Sequence, residues 1–353
     1  MKKRLDARGD RPAAGHTHKK GTRMANKEPA VGSKGWLSYR PEIKVLDVTI
    51  RDGGLMNNHH FTPDLVRAVY RTACEAGVDY VELGYKSSKK VFTTAENGPW
   101  KFCDEDAMRD VIGEKNPAVK LAVMADAERC DYHTDILPRD KSVLDMIRVA
   151  TYIHQIPTAV EMIQDAHDKG YETCVNLMAI STVQESELDA ALDVFAQTPV
   201  DVIYLVDSFG TMYSEEIRAK MAKFRRVTDA TGKQVGIHTH NNCQLAYANT
   251  IEAIICGANY LDASLAGLGR GSGNCQMELL LGFLHNPKYQ LRPLLACIRD
   301  HIEPLRKEFF WGYSIPYMIT GILNQHPRDA IAFMESGKCD DIVKFYDKMR
   351  EAE

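Results

Sequence analysis

The chain has 353 residues, 44% hydrophobic and 26% charged, with a formal net charge of −4. These are the values of an ordinary water-soluble globular protein, and they give no reason to expect a nucleic-acid or membrane partner. No apolar run approaches the roughly 20 residues that span a bilayer, and the length suits an α/β barrel with an extension.

Residues 1–40 hold many Lys and Arg among Gly, Pro and Ala, and read as a flexible basic tail without enough apolar surface to order itself. His16 and His18 lie in that tail and are not taken as a ligand pair. From Val45 onward, short β-branched runs alternate with amphipathic stretches. Strands are expected at Val45–Asp52, Tyr80–Tyr85, Lys120–Asp126, Met146–Thr151, Thr173–Ile180, Val202–Asp207, Gln234–His240 and Tyr260–Ala266. Helices are expected at Thr62–Ala76, Ile156–Lys169, Ser214–Thr231 and Leu245–Cys256. Each is followed by a glycine, at positions 77, 170, 232 and 257, the residue that best adopts a left-handed helix end. Eight such units predict a (β/α)8 barrel over residues 41–285. The alternative, an open doubly wound sheet, wants a glycine-rich phosphate loop after its first strand, and Arg51-Asp52-Gly53-Gly54 is not one. Residues 286–353 are expected to form a small helical extension, with a helix over Leu294–Phe310 broken at Tyr313–Tyr317. The nine cysteines show no CxxC pair or regular spacing, which predicts reduced thiols and a cytoplasmic location.

Two motifs carry chemistry. Thr49-Ile50-Arg51-Asp52-Gly53 closes the first strand and His238-Thr239-His240-Asn241 closes the seventh. Residues two apart on a strand share a face, so both imidazoles point the same way. Barrel active sites lie at the carboxyl ends of strands, and closure makes strands one, seven and eight neighbours. Gly267 to Asn274, rich in glycine, follows the eighth strand and ends on an amide oxygen. Two imidazoles with oxygen ligands and no sulfur suit Mn²⁺, Mg²⁺ or Zn²⁺ more than a structural zinc site.

At these residues the chain resembles the DRE-TIM metallolyases, and within them most closely the 4-hydroxy-2-oxovalerate aldolases. Leu261-Asp262-Ala263-Ser264-Leu265-Ala266-Gly267-Leu268-Gly269 carries the likeness, with Gly273-Asn274, Ile147-Arg148-Val149-Ala150-Thr151 and Val206-Asp207-Ser208. The resemblance implies a metal, Mn²⁺ first, held by Asp52, His238, His240 and Asn274. It implies Arg51 as the donor to an enolate oxygen, and Glu82, Ser181 and Asp207 around the substrate. The expected reaction cleaves or forms a carbon–carbon bond in a 4-hydroxy-2-oxo acid through a metal-bound pyruvate enolate. An acylating aldehyde dehydrogenase partner and a homodimer or larger assembly belong to the same expectation.

The chain departs from its relatives at Leu55, where the aldolases place a histidine base and the synthases a glutamine. His59, His60, Tyr313 and Tyr317 are the candidates to move the proton instead. Lys86 offers a Schiff-base alternative. A Claisen-type condensation of acyl-CoA with a 2-oxo acid is a second function, and a barrel without catalysis that serves as a partner subunit is a third.

Overall fold

The computed structural model describes residues 40–337 and 341–351. Apart from Arg40, the expected basic tail with His16 and His18 lies outside the described residues. Eight parallel strands close into a barrel in chain order. They are β1 (Lys44–Asp47), β2 (Tyr80–Tyr85), β3 (Lys120–Asp126), β4 (Met146–Thr151), β5 (Glu172–Leu177), β6 (Val202–Asp207), β7 (Gln234–Thr239) and β8 (Tyr260–Ala263). The ring closes where β1 pairs with β8 in the register Lys44↔Tyr260 to Asp47↔Ala263.

The first strand stops five residues short of the expectation. The Asp47 carboxylate accepts the Thr49 N–H at 2.8 Å, and the Asp52 N–H donates to the Val48 carbonyl at 2.9 Å. These bonds turn Thr49–Gly53 into a single helical turn, α1. The eighth strand is shorter for a similar reason, because Gly267 and Leu268 donate back to Ser264 and Leu265 in a tight turn.

The other helices are α2 (Pro63–Ala76), α3 (Glu105–Ile112), the short α4 (Tyr132–Asp135), α5 (Ile156–Asp168), α6 (Glu185–Ala196), α7 (Ser214–Thr231), α8 (Ala246–Ile255) and α9 (Met277–Leu284). Helix α2 shows why they form. Thr62 Oγ accepts the Leu65 N–H, Pro63 occupies the first turn, and Gly77 ends the helix at φ 75°. Its Val66, Val69, Ala73 and Ala76 are buried on the helical spacing that faces the barrel.

Beyond α9 the single helix expected over Leu294–Phe310 is three pieces. Helix α10 (Leu291–Cys297) runs into a π turn at Ile298–Ile302 and a 3-10 turn at Glu303–Lys307. Pro304 lacks the N–H that a regular α ladder needs there. The sequence Ser314-Ile315-Pro316 opens helix α11 (Ile315–Ile322), with Ser314 Oγ accepting the Tyr317 N–H. Together with α12 (Arg328–Glu335) and α13 (Ile342–Glu351) it buries Tyr317, Ile319, Ala330, Phe345 and Met349 in a core of its own. Among the described residues no helix is long and apolar enough to cross a membrane.

Inside the barrel, Leu46, Tyr80, Met146, Cys174, Val202 and Tyr204 form an apolar layer. Two residues beyond Tyr80, Met146 and Cys174, on the same inward face, stand Glu82, Arg148 and Asn176, joined by His238 of β7 and Asp262 of β8. The apolar layer is therefore the floor of a charged one, and that charged layer positions the site.

Candidate metal centre

Asp52, His238 and His240 are buried, and their ligand atoms lie within 4.8 Å of one another. Nε2 of His238 is 3.7 Å from Asp52 Oδ2, and Nε2 of His240 is 3.6 Å from the same oxygen. Two ligands at about 2.1 Å from one ion stand roughly 3.0–4.2 Å apart, so these separations fit a shared cation.

Both imidazoles are turned for that task. His238 Nδ1–H donates to Asp262 Oδ2 at 2.9 Å, and His240 Nδ1–H donates to the Asp207 carbonyl at 3.2 Å. Each bond fixes the tautomer and leaves the Nε2 lone pair outward. Both Nε2 atoms are buried with no partner among the described residues, and so is Oδ1 of Asn274. Asn274 faces His240 across an antiparallel bridge and donates its Nδ2–H to the Leu268 carbonyl, which leaves Oδ1 free. Three orphaned acceptors around one carboxylate are costly unless something electropositive satisfies them. The residues present therefore fit a divalent cation.

The electrostatics suit the same occupant. Burial alone raises the Asp52 carboxyl, but the Arg51 guanidinium, helped by His240 and His238, outweighs it and holds the group well below the usual carboxylate range. Burial lowers the His238 imidazole, reinforced by Arg51 and His240 against the pull of Asp262. The aspartate is thus ionised and the histidine neutral, the states in which each binds a metal.

Arg51 holds this centre to a buried chain of charges. Its Nη1 donates to Asp52 at 2.5 Å and its Nε to Glu82 Oε2 at 2.7 Å. Arg148, fully buried, donates from Nη1 to the same Glu82 oxygen at 2.8 Å. Its Nη2 donates to Asp262 at 2.6 Å and to Asn176 at 3.0 Å. Arg148 also stacks on Tyr204, 4.5 Å from the ring centre. The chain returns to the centre through Asp262 and His238.

The glycine-rich loop after β8 approaches closely. The Arg270 N–H donates to Asp52 Oδ1 at 3.1 Å. A Cβ on Gly269 would sit 2.7 Å from that carboxylate oxygen and collide with the Asn274 amide. Gly269→Ala is therefore expected to weaken Mn²⁺ binding by roughly 10–100-fold, the usual cost of disturbing the groups that orient ligands. Calorimetric titration of the variant checks this.

The triad opens into a cleft of about 260 Å³ whose wall includes Arg51, Leu55, Tyr85, Asn176, Ser208 and Arg270. The chain carrying that site is alike in kind to known proteins. The family model described as HMGL-like matches residues 42–293. The chain belongs to the HMGL-like family. This HMGL-like chain is 33% identical over 244 residues to a Mycobacterium tuberculosis protein named oxaloacetate decarboxylase, covering 68% of the chain and 69% of that relative. It is 30% identical over 272 residues to a Pelotomaculum thermopropionicum protein named 4-hydroxy-2-oxovalerate aldolase, covering 76% and 78%. The structure of the HMG-CoA lyase from Brucella melitensis shares the fold at a TM-score of 0.60 and 16% identity, covering 75% and 99%.

The structure brings the side chains of Arg51, Asp52, Glu82, His238, His240 and Asn274 together, and of the other expected residues Asp207 joins them only through its carbonyl on His240. His60 is exposed and its Nε2 meets the Glu96 carbonyl on the surface. Tyr313 is 55% exposed. The chain turns through left-handed Asn58 and His59, which puts Leu55 rather than His59 on the cleft wall. His59 packs edge-on against Tyr85 at 5.1 Å. Burial, with Lys101 and Arg51 nearby, drops its imidazole to about 3, far too low for a base at neutral pH. Tyr317 lines a neighbouring cavity of about 500 Å³ that shares Leu55 and Arg270 with the cleft. The Asp207 carboxylate accepts the Thr211 and Met212 N–H groups of its own loop. Ser181 lies off the wall and its carbonyl accepts from Asn324. Lys86 Nζ donates to the Cys103 carbonyl at 2.7 Å, outside the cleft.

Sequence reasoning missed Lys101, Asp126, Arg129, His326 and Arg328, all on the cleft wall. His326 reaches it from the turn between α11 and α12, edge-on to Phe209 at 5.6 Å. Its Nδ1 accepts the Arg328 N–H, and burial with Arg270 and Arg328 lowers it to about 4. One signal was available for Arg148 and Asp262: a charge inside a β-branched run on the inward face asks for a buried partner.

Proposed function

We propose that this protein is a divalent-metal-dependent lyase that cleaves or forms a carbon–carbon bond in a 4-hydroxy-2-oxo acid through a pyruvate enolate. The observation that carries the reading is one buried carboxylate faced by two imidazoles with their Nε2 atoms free, with a guanidinium in hydrogen-bond contact. A bound cation supplies Lewis acidity to the 2-oxo group. Asp52, His238 and His240 are the residues that would hold it, with Asn274 as a further oxygen donor.

In cleavage the hydroxyl proton on C4 passes to solvent water in the cleft and C4 becomes a carbonyl. The electron pair of the C3–C4 bond forms the C2–C3 double bond, and negative charge gathers on the C2 oxygen. Arg51 is placed to receive that charge. Its Nε and Nη1 are committed to Glu82 and Asp52, and among the described residues its Nη2 donates to no protein atom. Protonation at C3 from solvent water then gives pyruvate. Charge-assisted donation from a group already fixed in place requires little reorganisation as the charge develops.

Incubating the protein with Mn²⁺ and pyruvate in heavy water tests this. Exchange of the methyl protons is expected. Absence of exchange with metal bound would sink the enolate reading.

Leu55 favours a second reading at the same centre. Loss of CO2 from a 2-oxo acid carboxylated at C3 yields the same enolate without taking a proton from a hydroxyl, and the wall at position 55 has no group to take one. The M. tuberculosis relative bears a name of that kind. Comparing turnover of oxaloacetate with that of 4-hydroxy-2-oxovalerate separates the two. Mn²⁺ as the metal, a dimeric or larger assembly and a dehydrogenase that consumes the aldehyde product belong to the aldolase proposal.

A further inference from the structure

Lys101 is 7% exposed and lies on the cleft wall. It ends a short turn, Pro99–Lys101, whose neighbour Trp100 donates its indole N–H to the Phe61 carbonyl at 2.8 Å. The Lys101 N–H donates to Gly98, and its carbonyl accepts from Ser87. The backbone is therefore held on both sides. Its ammonium stands 4.4 Å from the centre of the Tyr85 ring and 4.2 Å from that of Phe92. Among the described residues it donates to no oxygen and has no carboxylate within ion-pair distance.

Two aromatic faces attract a cation, but they leave N–H donors of the ammonium unused. The side chain is largely buried, and burial lowers the Lys101 ammonium against the pull of Asp126, with Arg129 adding to the fall, so an ammonium held here without an anion in contact is a costly arrangement. The surroundings deepen the deficit. Arg129 and Arg51 lie on the same wall, and Asp126 beside them is not paired with Lys101. Burial raises the Asp126 carboxyl against the pull of Lys101 and Arg129, which weakens its ability to compensate.

We propose that the substrate carries a second anionic group, a carboxylate or a phosphate, on the half released as the carbonyl product, and that Lys101 receives it. This rests on the enolate-forming reading above. A carboxylate gripped by an ammonium resists loss as CO2, so the group concerned lies beyond the bond that breaks. Lys101 is thereby a specificity residue. Arg51 and the metal ligands fix the pyruvate half, and Lys101 selects the other half by charge.

The experiment condenses pyruvate with matched acceptors on the Mn²⁺-loaded protein. Glyoxylate is set against acetaldehyde, and glycolaldehyde phosphate against glycolaldehyde. At least one anionic acceptor is expected to exceed its neutral counterpart roughly tenfold or more in kcat/KM, chiefly through KM. Preference for glyoxylate identifies a carboxylate, and preference for the phosphate identifies a phosphate. Lys101→Met is expected to erase the preference, and Lys101→Arg, which keeps the charge, to retain most of it. Equal or better use of neutral acceptors by the unaltered protein overturns the assignment whether or not the variants fold. So does a preference that survives Lys101→Met. Borohydride trapping of pyruvate on Lys101 would also overturn it, by showing the amine to be a nucleophile. Methyl exchange without any acceptor keeps the two levels apart. Its absence overturns the enolate function itself, and its presence without an anionic preference overturns the Lys101 assignment alone.

Discussion

Asp52→Asn is expected to weaken Mn²⁺ binding by more than about 100-fold and to reduce pyruvate methyl exchange by roughly 1,000-fold or more. Asp52 is the one carboxylate that both imidazoles face, and it supplies the negative charge of the ligand set. Asparagine keeps the shape, and its carbonyl can still accept the Arg270 N–H that Asp52 Oδ1 accepts now. Arg51 keeps Glu82 as a partner. The fold should therefore survive while the centre fails. Titration of Mn²⁺ by electron paramagnetic resonance, beside a melting curve of the variant, measures both. Unchanged affinity in a folded variant would place the cation elsewhere and remove the basis of the proposed chemistry. Activity lost together with the fold would be uninformative about ligation, so His238→Gln is the companion variant, expected to lose affinity in the same direction.

Arg148→Met is expected to cost about 3–5 kcal/mol of stability, the penalty for breaking a buried ion pair by removing one partner. Arg148 is fully buried between Glu82 and Asp262. Burial opposes its charge, but Asp262 and Glu82 together hold its guanidinium well above the usual arginine range. Methionine matches its volume but leaves two carboxylates facing each other across the barrel without a mediator. Arg51 still answers Glu82, so the larger loss falls on Asp262 and through it on His238. Urea unfolding gives the free energy. Adding Glu82→Gln and Asp262→Asn to the variant should recover part of the loss, since removing all members of a buried ionic set costs less than removing one. A change below about 1 kcal/mol for Arg148→Met alone would mean that water or a side-chain shift compensates the two acids.

Much of this was legible in the chain itself. Strands β2, β3, β4 and β6 fall where β-branched runs of full length meet polar ends, and Gly77 and Gly232 end their helices as their left-handed preference requires. The HxH spacing placed two imidazoles on one face because alternation along a strand is a local property. What failed lay outside the hydrophobic pattern. Asp47 ends β1 by bonding forward to Thr49, a choice that competes with extended pairing and leaves no mark in the hydrophobic pattern. His59 does not replace Leu55 on the cleft wall because Asn58 and His59 itself adopt left-handed backbone. Lys101 and His326 come from a loop and an interhelical turn, and only the assembled barrel brings them to one cleft. The loop-borne wall of the cleft was therefore hidden, while the candidate ligands at the strand ends were in view.

The centre straddles the seam where the barrel closes. Asp52 follows β1, His238 stands in β7 with His240 just beyond it, and Asn274 and Gly269 follow β8. Strands β1 and β8 are roughly two hundred residues apart along the chain, so their pairing closes the longest loop of the sheet. The ligand set cannot assemble before that pairing forms. Capture of the cation should accordingly follow strand pairing during refolding, and a stopped-flow signal from the bound ion would time the closing of the ring. An ion that binds only the closed state also slows its reopening, so the element that serves catalysis would double as a latch on the fold.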